Sequence, residues 1–173
     1  GLHRRQTPQC FYGARTGPAA DQGGVKRLGI SQGYRVITMV KIILVTHGQL
    51  AQQMLETAGQ IIGKPADDGF ATFSVTAAAS VEKEAAKLHE HLKTCQDGAI
   101  ILTDIFGGSA TNISLTASKD LPKCHVITGL NLSMLLTAIN SRKKLSDKEL
   151  AEKIEADGKR AVINATELLI KGL

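Results

Sequence analysis

The sequence predicts an α/β fold: a doubly wound, mostly parallel sheet with a flavodoxin-like strand order and a long C-terminal helix. Three observations predict it. Short apolar runs alternate with amphipathic segments along residues 39–173. Two of these runs contain almost no polar residue, as in strands that helices cover on both faces. Strands that alternate regularly with helices favour right-handed crossovers between parallel strands.

The elements follow from local patterns. Residues 40–45 and 99–102 are the two nearly unbroken apolar runs, and shorter runs at 70–75 and 124–128 predict two more strands. Apolar residues at helical spacing follow each strand. The predicted helices are 50–62, 80–94, 111–118, 133–140 and 146–170.

Capping residues set several of these helix ends. The segment 63–65, Gly-Lys-Pro, ends the first helix. Ser80 is a favourable N-cap for the second helix. Ser146 and Glu149 have the spacing of a capping box, which predicts the start of the last helix.

Residues 1–38 differ from the rest of the chain. They are rich in Gly, Gln and Arg and have neither helical nor strand periodicity, so we expect a disordered basic leader. They contain six of the 21 basic side chains and one of the 16 acidic ones, which leaves 15 of each sign in residues 39–173. Because Met39 directly precedes the first predicted strand, we expect the native protein to begin there, with residues 1–38 as upstream sequence.

Composition excludes several classes of function. Residues 39–173 carry no net charge, so the predicted domain has no electrostatic footprint for nucleic acid. The sequence has neither a secretory signal nor the roughly 20 apolar residues of a membrane span, which predicts a cytoplasmic protein. Its three cysteines are an odd number without CxxC spacing and indicate neither a disulfide framework nor a zinc site.

Residues with useful chemistry follow three of the strands. His47 follows the first apolar run, Asp104 the third and residues 128–131 the fourth. Ligands bind at the carboxyl ends of such strands, so we expect the three loops to converge. A neutral imidazole can attack phosphorus, and a carboxylate at its other nitrogen can fix the tautomer. His47 is therefore the candidate nucleophile and Asp104 its orienting partner.

A phosphoryl group would also need hydrogen-bond donors. Backbone N–H groups at glycines and hydroxyl groups can supply them. This chemistry requires no metal ion and no cofactor. The candidate phosphate-binding residues are Thr46, Gly48, Gly107, Gly108 and Ser109.

Three motifs together carry a family resemblance. They are residues 42–51 (IILVTHGQLA), 102–112 (LTDIFGGSATN) and 126–135 (VITGLNLSML). In order and spacing, residues 39–173 resemble the IIA domain of the mannose family of the phosphoenolpyruvate-dependent sugar phosphotransferase system. The resemblance implies a phosphotransferase that accepts a phosphoryl group from phospho-HPr on His47 and passes it to a IIB protein.

The resemblance also implies details of the site and the assembly. The phosphoryl group would go to the ring nitrogen remote from the backbone, Asp104 would hydrogen-bond the ring, and Ser109 would contact phosphate or ring. Members form homodimers that exchange a C-terminal strand, although residues 142–145 are a poor strand by composition. The IIB partner would come in trans, and contact with the membrane would be only through IIC and IID partners.

Two departures from the family concern loops. Many members have proline at the position of Ala110, and a loop containing proline and glycine in place of residues 76–79. Both changes lie near an expected partner surface. They affect which IIB protein is recognised more than whether His47 is phosphorylated.

Three alternatives remain open from the sequence. A histidine after a strand is often an ordinary capping or surface residue. A regulatory relative would use the phosphorylation state of His47 to select binding partners. A histidine-type phosphatase would have arginine before its histidine, where this chain has Thr46, and Arg142 and Arg160 are the only arginines in residues 39–173.

Overall fold

A computed structural model describes residues 39–63, 69–76 and 80–171, so the predicted leader 1–38 lies outside the described residues. The described residues form four strands and six helices in the predicted alternation. In chain order they are β1 (Lys41–His47), α1 (Leu50–Ile62), β2 (Phe70–Val75), α2 (Val81–Lys93), β3 (Ala99–Thr103), α3 (Ser109–Ser118), β4 (Cys124–Thr128), α4 (Leu132–Ser141), α5 (Asp147–Arg160) and α6 (Ala165–Lys171).

The four strands form one parallel sheet in the order β2-β1-β3-β4. Val45 of β1 is in register with Thr103 of β3, and Thr103 is in register with Thr128 of β4. This arrangement confirms the predicted doubly wound fold. Because β1 and β3 are neighbours, the residues that follow them, from His47 and Asp104 onward, meet at one edge of the sheet.

Helices cover both faces of the sheet, which explains the unbroken apolar runs. Ile42 and Leu44 of β1 pack with α1, α4 and α5, whereas Ile43 and Val45 pack with α2 and α3. All four side chains are completely buried. Alternate residues of the strand therefore enter two different apolar cores, which explains why the middle of β1 contains only apolar residues.

The predicted helix caps are confirmed. Ser80 Oγ accepts a hydrogen bond from Lys83 N–H, and Ser146 and Glu149 form both hydrogen bonds of a capping box. α1 ends at Ile62 and is capped by Gly63, whose φ of 74° is left-handed and suits glycine.

The prediction of one long C-terminal helix was wrong. α5 ends at Arg160, and α6 begins at Ala165 after a non-helical turn. The consecutive β-branched residues Val162 and Ile163 disfavour helix, and all of residues 161–170 are exposed, so no packing compensates. α3 also begins two residues earlier than predicted, at Ser109. Among the described residues, no helix combines the length and apolarity needed to cross a bilayer.

Candidate active site

His47 is the last residue of β1, and two hydrogen bonds to Asp104 hold it. The ring Nδ1 lies 2.8 Å from Asp104 Oδ2, and the backbone N–H of His47 donates to the same oxygen at 2.8 Å. The His47 side chain is 45% exposed, whereas that of Asp104 is 14% exposed. One carboxylate oxygen therefore fixes both the backbone and the ring of an accessible histidine, as predicted from the neighbouring strand ends.

The charge of Asp104 determines which ring nitrogen carries the proton. Burial is the largest influence and by itself raises the pKa of Asp104, but hydrogen bonds from the His47 backbone, the His47 ring and Ile105 N–H together lower it below its usual value. The group is thus an ionised carboxylate at neutral pH. Because a carboxylate can only accept, Nδ1 of a neutral His47 carries the proton and Nε2 carries the lone pair.

The free lone pair of His47 faces the start of α3. Ser109 Oγ lies 3.0 Å from Nε2, and its hydroxyl donates because Nε2 is unprotonated. The N-cap of α3 is Gly108, which has no side chain to cap the helix, and the first turn contains no acidic residue. Nε2 therefore points toward an uncapped positive helix end, a favourable position for an anion.

Gly108 allows this close approach. A Cβ atom at Gly108 would lie 3.3 Å from His47 Cε1 and 3.0 Å from Ile105 Cγ2, closer than most side-chain contacts. Gly107 has a φ of 78°, which lets the loop turn into α3. Both predicted glycines therefore shape the loop beside the ring.

Two predicted phosphate-binding residues, Thr46 and Gly48, already have hydrogen-bond partners within the protein. Thr46 is completely buried, and its hydroxyl accepts a hydrogen bond from Ala51 N–H at 2.9 Å. Successive residues of a strand point to opposite faces, so Thr46 turns inward where His47 turns outward. The N–H of Gly48 donates to Val75 O at 3.3 Å. The Thr46 hydroxyl thus binds the first turn of α1, and the N–H of Gly48 binds the end of β2. Both groups already have protein partners, and phosphate binding by either residue stays a prediction.

The third predicted loop supports the site indirectly. Leu130 N–H donates to Thr103 O at 2.9 Å, directly before Asp104. Asn131 accepts from Met134 N–H at 3.1 Å and caps α4. The loop therefore contacts the backbone next to Asp104, and the amide side chain of Asn131 stabilises the start of α4. Sequence reasoning missed one buried residue beside this backbone, Thr111, because nothing distinguishes it from any other helical threonine.

Comparison with known families identifies the class of protein. The family described as the PTS system fructose IIA component matches residues 41–155, which include His47, Asp104 and Ser109. The chain belongs to this family. It is thus a IIA component of the mannose and fructose type from the phosphotransferase system, as the three sequence motifs indicated.

Individual relatives agree with this assignment. The mannose-specific EIIAB component of Escherichia coli K12 is 32% identical over 105 residues, which are 60% of this chain and 32% of that protein. The fructose-specific EIIA component of Bacillus subtilis is 24% identical over 120 residues, 68% of this chain and 81% of that protein. The chain thus spans about a third of the length of its mannose-specific relatives.

Solved structures share the fold. A phosphotransferase system EIIA component from Streptococcus agalactiae has a TM-score of 0.67 at 26% identity and covers 75% of this chain and 99% of its own. The mannose/sorbose-specific IIA subunit from Enterococcus faecalis has a TM-score of 0.65 at 32% identity and covers 72% of this chain and 93% of its own. The IIA component therefore has the architecture of these subunits.

Proposed function

We propose that this IIA component is a histidine phosphocarrier, which accepts a phosphoryl group from phospho-HPr on Nε2 of His47 and passes it to a IIB protein. One observation carries the proposal. Asp104 binds Nδ1 at 2.8 Å, which directs the lone pair of Nε2 toward Ser109 at the uncapped start of α3. Nucleophile, orienting carboxylate and an anion-binding helix end thus meet at one solvent-accessible point.

The proposed transfer step needs neither a metal ion nor an external base. The Nε2 lone pair attacks phosphorus, and the new N–P bond forms as the donor's N–P bond breaks, with that electron pair returning to the donor nitrogen. The His47 ring becomes positively charged, and Asp104 stabilises this charge through Nδ1–H. The Ser109 hydroxyl, no longer facing a lone pair, donates to a phosphoryl oxygen. Attack by an acceptor nitrogen of IIB reverses these changes.

The positions of the two arginines argue against a histidine-type phosphatase. Arg142 is buried, with Nη1 3.4 Å from Val40 O at the opposite end of β1, and it stacks on Phe70. Arg160 pairs with Asp157 within α5. A phosphatase needs cationic groups that clamp the phosphate beside its histidine, and neither arginine takes that place.

The edge strand β4 supports the proposed homodimer. All five of its residues are half-buried, and residues 126–128 of the strand line a groove of about 510 Å³ together with Phe106 and Val162. Residues 142–145 form a turn, so they do not provide the exchanged strand. Val162 and Ile163 lie between α5 and α6, outside any helix, and are 83% and 59% exposed. We propose that this segment of one subunit pairs with β4 of the other, because an open edge and exposed β-branched residues complement each other.

The decisive experiment incubates the protein with phosphoenolpyruvate, enzyme I and HPr. Intact mass should rise by one phosphoryl group in an acid-labile form. His47→Ala should abolish the gain, and His125→Ala, which removes the other histidine paired with an aspartate, should retain it. Labelling that persists in His47→Ala would refute the assignment. A phosphoprotein that no IIB protein discharges would favour the regulatory alternative.

The dimer requires a separate measurement. Light scattering after size exclusion should give twice the chain mass for the wild type and the single chain mass for Val162→Asp. A wild type that remains monomeric at micromolar concentration would refute the proposed strand exchange and leave the phosphocarrier proposal intact.

A further inference from the structure

Thr111 lies in the first turn of α3 and is 2% exposed. Its Oγ1 is 2.7 Å from the carbonyl oxygen of Ile105 and 3.0 Å from Thr103 Oγ1. A carbonyl can only accept, so the Thr111 hydroxyl donates to Ile105. Its single proton is then used, and the Thr103 hydroxyl donates to Thr111. The two hydroxyls form a directed chain from the end of β3 into the loop before α3.

This chain spans the residue that holds His47. Asp104 lies between Thr103 and Ile105, and Ile105 N–H donates to Asp104 Oδ1 at 2.9 Å. The carbonyl group of Ile105 is the one that Thr111 binds. Thr111 therefore fixes the residue whose N–H orients one oxygen of the Asp104 carboxylate, while the other oxygen receives both hydrogen bonds from His47.

The hydrogen bond of Thr111 differs from those of Ser114 and Ser118, two further hydroxyl residues of α3. Ser114 donates to the carbonyl of Ala110, and Ser118 to that of Ser114, in each case four residues back within the helix. Thr111 instead reaches six residues back, outside the helix, to Ile105. Its hydroxyl thus joins α3 to the active-site loop, whereas those of Ser114 and Ser118 stay within their own helix.

We propose that Thr111 is a positioning residue for phosphoryl transfer. It acts through Ile105 and Asp104, keeping the carboxylate aligned so that Nδ1 of His47 holds its proton and Nε2 stays directed at Ser109. The transfer it serves is the proposed function, but its effect on the His47 tautomer is a property of the unphosphorylated protein. The two claims can therefore be tested separately.

The test compares Thr111→Val, which keeps the shape and removes the hydroxyl, with Thr111→Ser, which keeps the hydroxyl. Two-bond ¹H–¹⁵N correlation spectra of the unphosphorylated protein report which His47 nitrogen bears the proton. We expect wild type and Thr111→Ser to show one Nδ1–H tautomer and Thr111→Val a mixture of both. The rate of phosphoryl uptake from phospho-HPr should fall about tenfold to a hundredfold in Thr111→Val, as for a small misplacement of reacting groups, and recover in Thr111→Ser.

Thr137→Val is the matched control. It removes a threonine hydroxyl that joins α4 to Asp157 of α5 at 2.8 Å, away from His47. This variant should keep both the wild-type tautomer and the wild-type rate. If Thr111→Val does not fold, Thr111→Ala takes its place, with circular dichroism to verify its folding.

Several results would overturn the role of Thr111: a wild-type His47 spectrum in Thr111→Val, an equal loss of rate in Thr111→Ser, or an equal loss in Thr137→Val. If the wild type accepts no phosphoryl group, the proposed function fails. The tautomer spectra then still decide whether Thr111 positions Asp104.

Discussion

Two histidine–aspartate pairs lie at opposite ends of the sheet. His47 Nδ1 is 2.8 Å from Asp104 where β1 ends, and His125 Nε2 is 2.9 Å from Asp147 near the start of β4. The strand register aligns His125 with Ile42, at the other end of β1 from His47. The two pairs have nearly equal length and the same residue types, yet their surroundings differ.

The first difference is the nitrogen that each carboxylate occupies. Asp104 binds the ring nitrogen near the backbone and leaves the remote Nε2 of His47 beside Ser109. Asp147 binds the remote nitrogen of His125 and leaves Nδ1, which lies close to the backbone of its own strand. Only the first arrangement presents a lone pair outward, where a partner protein can reach it.

The second difference is the helix end beside each pair. Asp147 is the first residue of α5 and, with Glu149, already neutralises the positive end of that helix. The first turn of α3 beside His47 contains no acidic residue. The same pair of residue types therefore suits the proposed phosphoryl transfer at one end of the sheet and a structural contact at the other. The difference lies in which ring nitrogen is free and whether the neighbouring helix end is open.

The largest contrast should come from removing each carboxylate charge. Asp104→Asn lets the ring adopt the other tautomer and removes the stabilisation of phosphohistidine, so uptake should slow by about 10²- to 10⁴-fold without being abolished. Asp147→Asn should leave the rate unchanged. Rapid-quench kinetics with labelled phospho-HPr would measure both. An unchanged rate in Asp104→Asn would remove Asp104 from the mechanism.

The sequence predicted the parallel sheet and the positions of His47 and Asp104 at its edge well. A strand that is buried on both faces consists mostly of apolar residues, so runs such as 40–45 identify it in the sequence. Because β1 and β3 are parallel neighbours, His47 and Asp104 must lie at one edge of the sheet. Helix starts were also predictable, because side chains such as Ser146 act locally. The end of α5 was not predictable, because residues 161–164 contain neither Gly nor Pro. They are not helical because no neighbouring element packs against them.

The finer chemistry of the site was less predictable. Several details depend on partners that are distant in sequence or on the exact path of a loop. They are whether Thr46 faces solvent, whether the N–H of Gly48 already has a partner and what Thr111 binds. Residue type alone suggests that a hydroxyl or an N–H is available for a ligand. The fold decides whether it is already used, as it is for Thr46 and Gly48.

A smaller contrast should come from the glycine beside each pair. Gly108→Ala would place Cβ 3.3 Å from His47 Cε1, and Gly98→Ala would place it 3.0 Å from Asp147 Cβ and 2.7 Å from a backbone oxygen. We expect uptake to slow about tenfold in Gly108→Ala, because the ring must shift. Gly98 has a φ of 93°, so Gly98→Ala should lower the free energy of unfolding by about 1–3 kcal/mol at an unchanged rate.

Kinetics and denaturant unfolding on both glycine variants would test this division. A rate loss in Gly98→Ala equal to that in Gly108→Ala would mean that the two ends of the sheet are coupled, and the comparison would fail.

The second pair itself should contribute modestly to stability. The side chains of His125 and Asp147 are 30% and 22% exposed, so solvent weakens their interaction. His125→Gln, which retains a polar group, should lower the free energy of unfolding by about 0.5–1.5 kcal/mol in urea titrations. Phosphoryl uptake should not change, and a large rate loss would show that His125 has a role in transfer.

The smallest effect concerns the acid sensitivity of the first pair. Because hydrogen bonds from His47 and Ile105 lower the folded-state pKa of Asp104, ionisation of this group stabilises the fold. The contribution is complete above the unfolded pKa of about 4 and is lost as pH falls through the lower folded value. The difference in unfolding free energy between wild type and Asp104→Asn should therefore narrow below about pH 4. Urea titrations of wild type and Asp104→Asn from about pH 6 to 3 would show this narrowing. A difference that stays constant across this range would mean that the pairing with His47 does not favour the ionised carboxylate.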